Sequence, residues 1–184
     1  GEIQIATLIP PHMIDRLKSK PGFEPVSVPS AEGFFLGMNS KYPPWNNRAA
    51  HIAVAHAVDK KAIVDSIYLG QAVILDAPIG KGQFGWSPEM KQLYPYDPQK
   101  ARKVLEEAGL VGAEINFTVT TNRFLYDVQA ATAIVPMLEA VGFKVNFQTI
   151  EYATQFAEVQ RGNRGFYLHS RGNMMDPTAA LVQM

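Results

Sequence analysis

An alternation of strand and helix patterns between residues 114 and 176 constrains the fold of this chain more than any other feature of its sequence. Every second residue of Glu114–Thr120 is apolar, which predicts a half-buried strand. Apolar residues then recur at three- and four-residue steps over 124–141, the spacing of one helix face. The pattern continues with a strand, a shorter helix and a third strand, over residues 143–147, 152–161 and 166–170.

The connections between these strands predict a parallel arrangement. A helix between two strands is the usual crossover of a parallel pair, and its right-handed form is strongly preferred. The carboxyl ends of the three strands would then lie along one edge, where open α/β sheets bind ligands. We therefore expect an α/β fold in which helices flank a mixed, partly parallel sheet.

Two arginines follow strands at this predicted edge. Arg123 comes after the first strand and directly before the predicted helix, whose free backbone amides favour anions. Arg171 comes directly after the third strand. This placement predicts a site that binds a carboxylate or another planar anion through bidentate hydrogen bonds. The alternative is that both arginines are solvated surface residues at the rim of the sheet.

Local signals predict the elements that precede this region. Asn47 and Asp59 are candidate caps of two helices, and Asp97 with Pro98 forms a cap followed by proline at the first helical position. The other expected elements are a strand over 3–6, a helix that starts at residues 10–11, extended segments over 24–28 and 33–39, and a long surface loop over 71–95.

Composition excludes several kinds of partner. Seventeen basic and seventeen acidic residues leave no net charge, and no cluster of Lys and Arg interleaves with aromatic residues as nucleic-acid binding would require. No apolar run approaches the roughly 20 residues that span a membrane, and the absence of cysteine excludes disulfides and thiolate metal sites. A length of 184 residues suits one domain. The chain starts without methionine and stops inside a helix-like segment, so we expect a piece of a larger protein.

Motifs for chemistry are weak in this sequence. Residues 80–85 have the glycine spacing of a dinucleotide-binding turn, but Pro88 lies where a helix should begin, so we expect no nucleotide cofactor. His51 and His56 are five residues apart, about 140° around a helix, so they cannot bind one metal ion together. No nucleophile elbow or facing pair of carboxylates occurs. His169 lies in the third strand near the predicted edge, where it either contacts a ligand or is only hydrogen-bonded.

Short motifs occur in a fixed order along almost the whole chain. They are GFFLGMN at 33–39, Pro43-Pro44, AVDK at 57–60, YDPQKA at 96–101, LEEAG at 105–109, LEAVGFKV at 138–145 and Asp176-Pro177. In this order they resemble the C-terminal lobe of the peptide and nickel class, family 5, of bacterial extracytoplasmic solute-binding proteins. No single motif is decisive, but the ordered set is specific.

The resemblance implies a fold like that of type II periplasmic binding proteins, in particular the C-terminal domain of a dipeptide-binding protein, with residues 1–184 as one domain. It implies a missing N-terminal lobe, with which this lobe closes around a small peptide-like, opine-like or sugar-like solute. It further implies delivery to the membrane permease of an ABC importer, from a periplasmic or extracytoplasmic, membrane-associated location. Neither catalysis nor a cofactor is implied.

The resemblance also implies roles for individual residues. In dipeptide-binding members an arginine after the first of these strands binds the ligand carboxylate, and Arg123 matches its position. The turn at 171–175 lacks the aspartate with which those members hold the ligand's amino group, which favours a ligand with two acidic groups or an opine- or sugar-like solute. We expect Arg171 as a second anion clamp, Asn173 as a polar orienter and His169 as a further ligand contact.

Two other functions stay open from the residues. An enzyme would use the same edge if Asp127 or Asp176 faced a serine or a histidine across it. A protein-interaction domain would instead expose a large apolar patch without a polar cleft.

Overall fold

The structure, a computed structural model, describes residues 4–28, 32–75, 84–89, 93–121 and 123–172. Its elements are, in chain order, a 3-10 helix (Pro11–Met13), α1 (Ile14–Lys18), β1 (Glu32–Met38), α2 (Arg48–Ala57), α3 (Lys60–Ser66), α4 (Pro98–Glu107), β2 (Glu114–Thr120), α5 (Asp127–Val141), β3 (Lys144–Ile150), α6 (Tyr152–Gln160) and β4 (Phe166–Gly172). None of the helices in these ranges has the length and hydropathy of a membrane-spanning segment. Asn173, Asp176, most of the glycine-rich stretch at 80–85 and the helix-like segment at 178–184 lie outside the described residues.

The four strands form one mixed sheet in the order β1-β4-β2-β3. β2 runs parallel to both of its neighbours, whereas β1 pairs with β4 in the antiparallel direction. The chain moves through α5 from β2 to β3 and returns through α6 to β4, so right-handed crossovers put the two helices on opposite faces. The prediction of three parallel strands in a mixed sheet is confirmed.

One predicted strand and one predicted helix start are wrong. Residues 4–6 form no strand, because an alternating pattern forms a strand only where a partner accepts its backbone hydrogen bonds. The helix predicted from residue 124 begins at Asp127 instead. Tyr126 has a left-handed backbone conformation, with φ of 61°, and a right-handed helix cannot include it.

The core lies between the sheet and the helices α2, α4 and α5. Phe166 is at its centre, with ring centroids 4.6 Å from Trp45 and 4.7 Å from Phe117. All three residues are at most 2% exposed. Each buried ring of this kind contributes roughly 1.5–3 kcal/mol by leaving water, so this layer stabilises the fold.

Side-chain caps start four of the described helices. The side chains of the residues before α2, α3, α4 and α6 accept hydrogen bonds from the first free amides; these caps are Asn47, Asp59, Asp97 and Glu151. The caps predicted for α2, α3 and α4 are confirmed. The amides of Ala153 and Thr154 lower the pKa of Glu151, because they bond to its charged form.

Candidate functional site

The carboxyl ends of β2, β3 and β4 meet at one edge of the sheet, because the three strands are parallel. The turn at 121–126 leaves β2 there, Glu151 and the first residues of α6 follow β3, and Arg171 lies near the end of β4. The two arginine-bearing segments therefore emerge at the same end of the sheet. This edge is where ligands bind in open α/β sheets.

A buried carboxylate holds the turn after β2. Asp127 is 3% exposed and accepts hydrogen bonds from the Thr120 hydroxyl at 3.1 Å, the Phe124 amide at 3.1 Å and the Val128 amide at 2.8 Å. It lies in the first turn of α5, where the helix dipole favours a negative charge. Asp127 therefore takes up two of the amides near Arg123, and the anion-binding role of Arg123 itself stays a prediction.

Tyr68, two residues after the end of α3, supports the same turn. The Tyr68 hydroxyl donates a hydrogen bond to the Leu125 carbonyl at 3.2 Å. Burial of the phenol, and secondarily the negative charge of Asp127, raise the pKa of Tyr68 to about 12. Tyr68 is therefore a neutral donor at physiological pH.

Arg123 is exposed and lies against two aromatic rings. Its Cζ atom is 4.9 Å from the ring centroids of both Phe124 and Tyr152. The ion pairs among the described residues do not include Arg123, whereas Arg102 and Arg161 pair with glutamates on or next to their own helices. The edge thus carries a positive charge that no carboxylate of the described ranges neutralises by direct contact.

His169 lies beside the same two rings as Arg123. Its ring is parallel to that of Tyr152, with an interplanar angle of 5° and centroids 6.1 Å apart, and it meets Phe124 edge-on at 5.8 Å. Phe35, its partner on β1, is 5.9 Å away. The fold therefore brings Arg123 and His169 together around one aromatic cluster.

The structure describes the other two expected site residues only in part or not at all. The backbone of Arg171 pairs with Gly33 on β1, two residues beyond His169 along β4. Its side chain and the whole of Asn173 lie outside what the structure describes. Their roles stay predictions.

Two histidines singled out in the sequence lie elsewhere. Nε2 of His51 donates to the Trp45 carbonyl at 2.7 Å, and Nδ1 of the buried His56 donates to the Pro95 carbonyl at 2.7 Å. Their bonds to backbone carbonyls account for both as structural residues.

Two open concavities lie away from the aromatic edge. Their volumes are about 610 and 530 Å³, and both are lined by Asn46 and Arg48. The larger one reaches Glu114, the first residue of β2, which is the end of that strand opposite to Arg123. Neither concavity is lined by Arg123 or His169.

Comparison with known proteins decides the family. The model of the "Bacterial extracellular solute-binding proteins, family 5 Middle" matches residues 1–184. The chain belongs to family 5 of the bacterial extracellular solute-binding proteins. The resemblance seen in the ordered motifs is thereby confirmed.

Relatives of this family 5 chain differ in what their names say they bind. It is 29% identical over 170 residues to di/tripeptide-binding protein 1 of Pseudomonas aeruginosa, covering 88% of this chain and 31% of that protein. It is 30% identical over 105 residues to heme-binding protein A of Haemophilus influenzae, covering 56% of this chain and 19% of that protein. The chain thus spans about a third or less of the length of these relatives.

A solved structure has the same fold as this family 5 chain. The periplasmic binding protein DppA of Helicobacter pylori, solved in complex with the peptide STSA, superposes with a TM-score of 0.83 over 95% of this chain and 34% of its own. Sequence identity is 22%, so the likeness concerns the fold. The expected fold, like that of the type II periplasmic binding proteins, is confirmed.

The charge pattern of the sequence does not predict the aromatic residues at the edge of this family 5 chain. Phe124 directly follows Arg123, and Tyr152 is the second residue after β3. Both could have been found by examining every residue just beyond a predicted parallel strand, since all such residues share one edge. Phe35 lies within β1 and had no comparable signal.

Proposed function

We propose that residues 1–184 form one lobe of a two-lobed solute-binding protein that serves an ABC importer. The lobe captures a small solute at the carboxyl edge of its sheet, and the protein presents the solute to a membrane permease. Membership of family 5 supports this role, and coverage of 31% of the di/tripeptide-binding relative and 34% of the compared structure supports a single lobe. The observation that carries the proposal is Arg123, which is exposed on two aromatic rings and has no ion pair with a carboxylate of the described residues.

Arg123 binds an anionic group of the solute. Two rings at 4.9 Å restrict the guanidinium by cation–π contact, worth about 0.5–1 kcal/mol each at exposed sites. A guanidinium held in this way is preorganised for binding. Its planar fork of N–H donors matches the geometry of a carboxylate. A bidentate charge-assisted pair then forms with little loss of side-chain freedom.

The remaining site residues complete the contact. Arg171 acts as a second anion clamp, Asn173 orients a polar group, and His169 contacts the solute from within the aromatic cluster. The partly exposed Tyr152 and Phe156, which is 43% exposed, offer flat apolar surface beside the charge. The solute is therefore anionic or polar: a peptide-like, opine-like or sugar-like molecule.

Location and partners follow from the same proposal. The protein acts in the periplasm or on the outer side of the membrane, where family 5 proteins are described as extracellular. Its partners are the missing N-terminal lobe and the permease. Binding without catalysis fits the edge better than an enzyme does, because the Asp127 carboxylate accepts from Thr120 and backbone amides rather than facing a serine or histidine.

The test starts with the solute that the full-length protein carries. Mass spectrometry of the denatured protein identifies it, and calorimetry with Arg123→Ala then measures its loss of affinity. We expect at least about a thirtyfold loss, the usual cost of removing one partner of a charge pair in a binding site. Arg102→Ala is the matched control, because this arginine is exposed and pairs only with Glu106 on α4. Unchanged affinity in Arg123→Ala would remove Arg123 from the site.

A further inference from the structure

A hydrogen bond ties the N-terminal segment, residues 4–28, to the turn that carries Arg123. Nδ1 of His12 and the hydroxyl of Tyr126 are 2.7 Å apart, although 114 residues separate them in the chain. The segment around His12 otherwise exposes large apolar side chains, such as Ile5 at 82% and Val26 at 74%. A short hydrogen bond therefore joins a loosely packed segment to the ligand-binding edge.

Tyr126 occupies a costly backbone conformation. Its φ of 61° and ψ of 24° lie in the left-handed region, which is unfavourable for a residue other than glycine. Such a residue persists when its surroundings hold it. Its ring lies 6.0 Å from that of Tyr68, and its hydroxyl bonds to His12.

The turn is held from three directions. The Asp127 carboxylate accepts from the Phe124 amide, the Tyr68 hydroxyl donates to the Leu125 carbonyl, and His12 holds the Tyr126 side chain. The first contact is local, but the other two come from distant parts of the chain. Each contact involves a residue within four positions of Arg123, so together they set the backbone from which its side chain leaves the sheet.

We propose that His12 and Tyr126 are positioning residues that act on Arg123 through this turn. His12 holds Tyr126 in its left-handed conformation, and Tyr126 fixes the direction in which Arg123 and Phe124 leave β2. The inference rests on the proposed function only in taking Arg123 as the anion-binding group. Its structural part, the control of the turn by a remote histidine, stands independently.

Hydrogen exchange of the full-length protein, without added solute, tests the control of the turn. We expect His12→Ala and Tyr126→Phe each to speed amide exchange over residues 121–128 by about two- to tenfold, as the loss of one hydrogen bond predicts. The double variant should exchange no faster than either single variant, because both changes remove the same bond. Exchange in α4 should stay unchanged.

A conservative variant and a matched control separate positioning from general support. His12→Gln retains a side-chain group that can bond to the Tyr126 hydroxyl, so it should restore slow exchange. The ¹⁵N Nε signal of Arg123, assigned by its loss in Arg123→Lys, should shift in His12→Ala and return in His12→Gln. His51→Ala removes a histidine bonded to a carbonyl elsewhere and should leave residues 121–128 unaffected.

The outcomes distinguish this inference from the proposed function. Unchanged exchange over 121–128 in Tyr126→Phe, or an unmoved Arg123 signal in His12→Ala, would overturn the positioning role. Equal acceleration over the whole protein would also overturn it, because the bond would then support the fold in general. If the turn responds as expected while Arg123→Ala retains full solute affinity, the anion-binding role of Arg123 fails and the control of the turn stands.

Discussion

The aromatic residues of the core and those of the carboxyl edge are of similar types but have opposite surroundings. In the core, Phe117 and Phe166 are at most 1% exposed and contact other apolar groups. At the edge, Phe156 is 43% exposed, and its neighbours include Tyr152 and His169. The core rings are closed off from solvent, whereas the edge rings lie partly exposed beside charged and polar groups.

The charges of the two regions differ in the same way. On the helices that cover the core, exposed arginines and lysines pair with acids one turn away, as Arg102 does with Glu106. At the edge, the described acid closest to Arg123 in sequence, Asp127, is bound by its own turn. No ion pair among the described residues includes Arg123, and the following variants test how the two regions differ in their contribution to stability.

The largest effect on stability should come from the core. Phe117→Ala should lower the free energy of unfolding by about 3–5 kcal/mol, because it removes a fully buried ring and leaves a cavity. Urea denaturation measures the change. A loss of less than about 1 kcal/mol would show that the core layer is not where the stability lies.

The buried carboxylate of the edge should come next. Asp127→Ala should lower the free energy of unfolding by about 2–3 kcal/mol, because it leaves a buried hydroxyl and two amides without their acceptor. Asp65→Ala is the control, since this aspartate is exposed and pairs only with Lys61, and it should change stability by no more than about 0.5 kcal/mol. Equal effects of the two variants would contradict a structural role for Asp127.

Alkaline pH should lower the free energy of unfolding through ionisation of Tyr68. Its pKa is raised to about 12 in the folded protein, so between pH 10 and 12 the unfolded chain loses the phenol proton first. Stability should therefore be constant with respect to this group below pH 10 and fall by up to about 2 kcal/mol as the pH rises to 12. Urea denaturation at several pH values measures the slope, and Tyr68→Phe should flatten it. A slope that persists unchanged in Tyr68→Phe would assign it to other groups.

The smallest effect should come from an edge ring. Phe156→Ala should lower the free energy of unfolding by less than about 1 kcal/mol, because its ring is already 43% exposed. Differential scanning calorimetry of Phe156→Ala and Phe117→Ala under the same conditions compares the two regions directly. A loss as large as that of Phe117→Ala would end the distinction between them.

Much of the sheet could be predicted from sequence, because its elements depend on neighbours a few residues apart. The strand predicted over Glu114–Thr120 has the bounds of β2, although Thr118 and Thr120 are buried as well as the apolar residues. Asp97 caps α4, as its position before Pro98 predicts. The strand predicted over 3–6 failed at residues 4–6, because a strand also needs a partner. The predicted start of α5 lies three residues too early, because Tyr126 has a left-handed conformation in a turn that also bonds to Tyr68 and His12.

The sequence by itself determined the order of helices and strands, the parallel crossovers and hence the arrival of Arg123 and Arg171 at one edge. These follow from periodicity, capping residues and the preferred hand of a crossover, which are local properties of the chain. Only the tertiary structure decided that Arg123 rests on Tyr152, that His169 joins the same rings and that His12 reaches Tyr126. These contacts join residues 17 to 114 positions apart. They depend on how whole helices and strands pack, and a pattern of neighbouring residues cannot predict contacts between positions so far apart in the sequence.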